Sequence, residues 1–187
     1  MNVYQGQPVP SPTAANPGYW NYFVPIWNLA GTSIDLVLVQ AYNNWYDSLT
    51  EGSLEYLQDT YLNWINVLSP FCSGCQVIAN FTGIPQAKLA IGVPASITAG
   101  SAPPTLSTVD SFNQWIVTNN YTLAGAFIWD SYWDANNQYF MSNTILTSSA
   151  SISPLTPSGK IVPSCNTSST TPPVPRRLPN LKTILKE

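Results

Sequence analysis

Along the chain, short, nearly continuous apolar runs alternate with longer stretches in which apolar residues recur every three or four positions. The run Ile34 to Tyr42 is β-branched and apolar almost throughout, as expected of a strand buried on both faces. Residues 53–68 then place Leu54, Leu57, Tyr61, Ile65 and Leu68 at helical spacing, with Ser53 as N-cap and Glu55 in the first turn, where the helix dipole favours a negative charge. Lys88 to Val93 predicts a second strand. Residues 107–118 predict another helix through Val109, Phe112 and Ile116, capped by Ser107 or Thr108. Leu123 to Trp129 predicts a third strand, and a last helix is expected over about 137–146. Upstream, Tyr19 to Leu29 reads as a short helix interrupted near Pro25. Residues 1–18, punctuated by Pro8, Pro10, Pro12, Pro17 and Gly18, read as loop.

Buried strands alternating with amphipathic helices predict parallel βαβ units and an α/β fold. The pattern stops near residue 146. Residues 147–175 are rich in Ser, Thr and Pro, and the end carries Arg176, Arg177, Lys182 and Lys186. The expected organisation is therefore an ordered region over 1–146 and a disordered tail with a basic end over 147–187. Three parallel strands are few, because an open sheet of that size leaves two unpaired edges. A closed (β/α)8 barrel takes eight strands and roughly 250 residues. The ordered region is thus either a small α/β sandwich or part of a barrel.

Only 8% of the residues are charged, against about 25% in an average protein. The surface must therefore be covered by neutral polar groups. With 7 Trp and 10 Tyr among them, this composition suits contact with neutral, hydroxyl-rich ligands. Residues 1–146 hold eight acidic residues against Lys88 alone, which argues against nucleic acid as a partner. The absence of His excludes a Ser-His-Asp triad and removes the commonest metal ligand. The Cys72-Ser-Gly-Cys75 run with a distant Cys165 offers too few ligands for zinc. A redox pair or a small disulfide loop both fit it. The disulfide loop is preferred, since the surroundings are not a thioredoxin-like βαβ start. Sequons at Asn80, Asn120 and Asn166 agree with a secreted glycoprotein, though chance supplies such triplets in a chain this rich in Asn, Ser and Thr. No apolar run reaches the ~18 residues of a membrane span. The N-terminus MNVYQGQPVP has neither the basic start nor the apolar stretch of a signal peptide.

The three strand ends carry a resemblance. The first runs Val39-Gln40-Ala41-Tyr42-Asn43-Asn44 and the second Gly92-Val93-Pro94-Ala95-Ser96. The third runs Gly125-Ala126-Phe127-Ile128-Trp129 into Asp130-Ser131-Tyr132-Trp133-Asp134. In this order and at these separations they resemble the sixth, seventh and eighth barrel strands of the family 18 glycoside hydrolases, the chitinase family. Tyr19 to Pro25 is similar to the stretch before the sixth strand, and the resemblance covers about residues 16–146. It implies the C-terminal part of a (β/α)8 TIM barrel whose N-terminal half is missing from this chain. The implied reaction is substrate-assisted, retaining hydrolysis of β-1,4-linked N-acetylglucosamine polymers, an exception to the two-carboxylate scheme of most glycosidases. The implied partner is chitin or its oligosaccharides, the implied setting of the full-length protein is extracellular, and no cofactor or metal is implied.

Residue by residue, the resemblance makes Tyr42 the hydroxyl that orients the substrate's acetamido group. It makes Gln40 and Asn43 polar contacts to the sugar, and Trp129 the floor beneath the ring. An indole face suits that place because a sugar's axial C–H bonds form an apolar patch. Asp130 departs from the family pattern, which has a small polar residue there, and is a further candidate sugar contact. Plainer roles stand beside these: Tyr42 and Trp129 as core aromatics, Gln40 as partner of a backbone group, Asp134 as a structural or rim residue. Trp45, Tyr46 and Trp133 either extend an aromatic groove or pack. The family's Asp-x-x-Asp-x-Asp-x-Glu run, whose Glu is the general acid, is absent. Glu51 and Glu55 have no Asp two residues before them, and Asp130 and Asp134 have no Glu nearby. The expectation is a chitinase-like chain inactive by itself; the alternative is a catalytically dead, lectin-like chitin binder.

Overall fold

A computed structural model describes residue 5, residues 21–44 and residues 49–150. The chain separates into two units, Met1–Pro154 and Leu155–Glu187, and the second lies outside the described residues. In the first unit the order is α1 (Phe23–Ala30), β1 (Val37–Gln40), α2 (Leu54–Trp64), β2 (Leu89–Pro94), α3 (Leu106–Thr118), β3 (Gly125–Trp129), α4 (Ser131–Asn136) and α5 (Phe140–Ala150). The three strands form one parallel sheet in the order β1-β2-β3. The protein is thus mixed α/β, built from two successive parallel crossovers.

The helix starts follow from their caps. The Ser53 hydroxyl accepts the Tyr56 N–H at 3.2 Å. Replacing Ser53 with Ala is expected to cost about 1 kcal/mol, read as a lower urea midpoint with an unchanged denaturant slope. The start of α3 differs from expectation: the cap is Thr105, which accepts the Thr108 N–H at 3.2 Å, and Ser107 and Thr108 lie inside the helix. α1 is not interrupted at Pro25. Proline is its third residue, where the missing N–H would have had no partner inside the helix. The expected last helix corresponds to α5, which starts at Phe140, and α4 before it has no counterpart in the expectation. Gln138 and Tyr139 adopt left-handed backbone (φ 57° and 59°), which ends α4 and turns the chain into α5. α5 then runs to Ala150, beyond the expected boundary at 146.

Strand register sorts the side chains onto two faces. Val37, Val39 and Ala41 of the first strand region align with Leu89, Ile91 and Val93 of β2, and then with Ala126 and Ile128 of β3. Except at Ala126, which is exposed, and Ile128, which is half-buried, this face is buried in one core with Leu57 and Tyr61 of α2, Phe112 and Ile116 of α3, and Met141 of α5. Strand residues of opposite parity, Leu38, Gln40, Gly92, Pro94, Phe127 and Trp129, point to the other face. There Leu38 is 57% exposed and Trp129 51%. All the crossover helices therefore cover one face, and the second is left largely apolar and partly open. On that face the Phe127 ring lies over Gly92, where a Cβ would fall 2.0 Å from its tip.

The outer side of α2 is polar yet buried. Gln5 accounts for part of this. Its backbone N–H donates to Asn63 Oδ1 (2.8 Å), its side-chain Nε2 donates to the Val67 carbonyl (2.8 Å), and its Oε1 accepts the Ser69 N–H (2.9 Å). Beneath it, the Asp59 carboxylate accepts from the Asn63 side chain at 2.8 Å and from the Ser69 hydroxyl. Burial raises the Asp59 pKa above the ordinary carboxylate value, and these two hydrogen bonds offset part of the rise. Cys72 and Cys75 are joined as a disulfide, the preferred reading of that pair; Cys165 lies outside the described residues. No helix among the described residues is long and apolar enough to cross a membrane.

Candidate functional site

In a parallel sheet the carboxyl ends of all strands lie at one edge, and the loops leaving them form one surface. Gln40 closes β1, Pro94 closes β2 and Trp129 closes β3. Pro94 and Trp129 are register partners, and Gln40 lies opposite Gly92. Two residues beyond Gln40, Tyr42 lies in the turn that leaves β1. Its ring packs on the loop after β2, where a Cβ on Gly100 would fall 2.8 Å from Tyr42 Cδ2 and 3.1 Å from the Pro94 side chain. Gln40 and Trp129 thus share one face and one end of the sheet, and Tyr42 packs at that end beside Pro94.

Tyr42 is buried. Burial raises its pKa, and the neighbouring Asp130 carboxylate raises it further. Both keep the phenol protonated, so that it acts as a hydrogen-bond donor. The Gln40 amide nitrogen donates to the Tyr42 carbonyl at 3.0 Å, the backbone role weighed for it from sequence, and so fixes the turn that carries the phenol. Asn43 sits in left-handed backbone (φ 54°). Its side-chain oxygen accepts the Ser101 N–H at 2.9 Å, and its own N–H points at Ser101 Oγ, also at 2.9 Å. The amide nitrogen of the same side chain takes no part in these bonds. Trp129 offers a half-exposed indole at the sheet edge, while its backbone oxygen accepts the Ala95 N–H at 2.9 Å.

The two aspartates after β3 have structural work. Asp130 caps α4: one carboxylate oxygen accepts the N–H groups of Tyr132 (2.9 Å) and Trp133 (3.2 Å). Asp134 is buried at the start of α5, accepting the Met141 N–H at 3.0 Å, the Ser142 N–H at 3.3 Å and the Ser142 hydroxyl. Of its two expected roles, the structural one is what this geometry provides. Trp133 is half-buried against an exposed Tyr132, edge to face at 5.1 Å. Trp45 and Tyr46 lie outside the described residues. A recess lined by Leu106, Asn137, Gln138, Phe140, Asn143 and Thr144 lies by the first turns of α3 and α5 and holds none of the expected site residues.

Sequence reasoning passed over Glu51 and Ser101. The Glu51 carboxylate accepts the N–H groups of Asn43 (3.3 Å) and Asn44 and the Ser101 hydroxyl. Asn44 donates its side-chain amide to the Gln40 carbonyl (2.9 Å) and to the Tyr56 phenol (2.8 Å). No local motif marks these contacts, because they join segments up to 58 residues apart.

The fold and site define a mixed α/β protein with a small parallel sheet and, at its carboxyl edge, aromatic and amide side chains beside the carboxylates of Glu51 and Asp130. Compared with known protein families and with characterised proteins, the chain matches none.

Proposed function

We propose that the chain is the strand-six-to-eight portion of a chitinase-type (β/α)8 barrel, and that its carboxyl edge binds N-acetylglucosamine oligomers. The observation that carries this reading is the placement of Gln40 and Trp129 on one face and one end of the three-stranded parallel sheet, with Tyr42 packed beside Pro94, at the end of the strand between them. That is where barrel proteins gather ligand-binding side chains. Two further features support it. All crossover helices cover one face, as in a barrel wall, and the opposite face keeps exposed Leu38 and Trp129 where a closed barrel has its interior. A protonated tyrosine donor beside a flat indole and amide side chains suits a neutral sugar that carries an acetamido group. In this reading Tyr42 donates to the acetamido carbonyl, Trp129 stacks under the ring, and the remaining strands come from outside these 187 residues. A lectin-like role without hydrolysis uses the same contacts and differs only in lacking the acid.

The test is binding of chitohexaose followed by calorimetry, with cellohexaose as the sugar without acetamido groups. The wild-type chain is expected to bind chitohexaose in preference, and Trp129→Ala to lower affinity about 10- to 100-fold, the range of a buried aromatic contact. Equal binding of both sugars, or a Trp129→Ala variant as tight as wild type, would remove the proposal.

A further inference from the structure

Resting on that reading, we infer that Glu51 is a positioning residue for the sugar-binding turn: its carboxylate sets the conformation of residues 42–44 and thereby the aim of the Tyr42 phenol. Asn43 takes left-handed backbone at φ 54°, a conformation that costs a residue with a Cβ some energy but that Asn accepts more readily than most, helped by local hydrogen bonds. Consecutive N–H groups on either side of such a residue converge into a small concavity that accepts an anion. Here the anion is internal. Glu51 accepts the N–H groups of both Asn43 and Asn44, and hydrogen bonds to a charged acceptor are roughly twice as strong as neutral ones.

The same carboxylate joins two strand ends. Ser101, in the loop after β2, gives its hydroxyl to Glu51 and its N–H to the Asn43 side chain (2.9 Å). Next to Ser101 lies Gly100, the surface on which the Tyr42 ring packs. Glu51 therefore holds Tyr42 from its C-terminal side through the turn, and steadies the loop beneath the ring through Ser101. Glu51 also stands two residues before the α2 cap, Ser53, so α2 anchors the arrangement to the core. A carboxylate occupied in this way is part of the frame of the site and does not serve as its acid.

The experiment measures chitohexaose affinity for the full chain and for Glu51→Ala, Tyr42→Phe and the double variant, with circular dichroism to check folding. Glu51→Ala is expected to weaken binding about tenfold. The double variant should lose no more than the larger single loss, since Glu51 acts through Tyr42. Glu51→Gln, which keeps an acceptor for the Asn44 N–H, should recover part of the affinity. If Glu51→Ala does not fold, Ser101→Ala takes its place, with a loss of about threefold and the same non-additivity with Tyr42→Phe. Unchanged affinity in the folded variant, or losses that add fully with Tyr42→Phe, overturn the inference while leaving the sugar site standing. A wild-type chain that does not bind chitohexaose overturns both.

Discussion

Incubated with chitohexaose, the pure 187-residue chain is expected to release no reducing sugar above a protein-free blank. A glycosidic oxygen leaves slowly unless a positioned acid protonates it, and that acid is typically worth about 10²–10⁴-fold in rate. The sequence contains no Asp-x-x-Asp-x-Asp-x-Glu run to supply it. The acids among the described residues do not replace it. Glu51 is engaged by Asn43, Asn44 and Ser101. Asp130 and Asp134 cap helices. Glu55, Asp59 and Asp110 ride on α2 and α3, which cover the opposite face of the sheet, and Asp35 precedes β1 at the other end of the strands. Tyr42, in the proposed sugar site, is pushed by burial and by Asp130 toward keeping its proton, which suits a donor and not a base. Reducing sugar released by the wild-type chain and abolished in Asp130→Asn would show that this residue supplies the missing acid, contrary to its capping role.

Long periodic segments were readable because tertiary structure agreed with them. The apolar runs before Gln40, Pro94 and Trp129 became the three strands, and the 3–4 spacing after Ser53 became α2 with the expected cap. Boundaries failed where a rule has a positional exception. Pro25 breaks a helix interior but not a first turn, and Thr105 outcompetes Ser107 because it alone precedes the first helical residue in extended backbone. The break at Gln138 and Tyr139 left no Gly or Pro to read, since non-glycine residues there adopt positive φ. Of the candidate site, Gln40, Tyr42 and Trp129 were legible as residues at or just after strand ends, and register then placed Gln40 and Trp129 on one face. Glu51 was not legible. Its value lies in accepting from Ser101, 50 positions away, and no local spacing encodes that contact. The barrel itself was an expectation from resemblance, and a three-stranded sheet carries only its first requirement, parallel strands with helices on one side.

Raising the pH above about 10 should unfold the domain steeply, and Tyr61→Phe should remove much of that steepness. Tyr61 is fully buried, with its ring edge-on to Phe112 and Trp115 and close to Tyr121. Burial raises its pKa strongly, and the neighbouring Tyr121 adds to the rise. In the unfolded chain a tyrosine loses its proton near pH 10. Above that value the native state therefore holds a proton that the unfolded state has released. Stability then falls with pH: the contribution is complete below the unfolded value and disappears as pH climbs toward the native one. Each unit of separation is worth about 1.4 kcal/mol. Ionisation would also remove the proton that the phenol donates to the Thr122 carbonyl at 2.9 Å. At pH 7, Tyr61→Phe should cost about 1 kcal/mol for that bond. Urea midpoints measured from pH 7 to 11.5 should start lower for the variant and converge on wild type, or pass it, above pH 10. Every other ionisable group is common to both proteins and drops out of the difference between them. Tyr42, raised in the same direction, leaves a residual slope in the variant. Asp59 follows the same sign at the acidic end: its raised value makes protonation favour the native state, so it opposes acid unfolding. Parallel curves for wild type and Tyr61→Phe through pH 11.5 would mean that Tyr61 ionises without opening the core, and would refute the assignment.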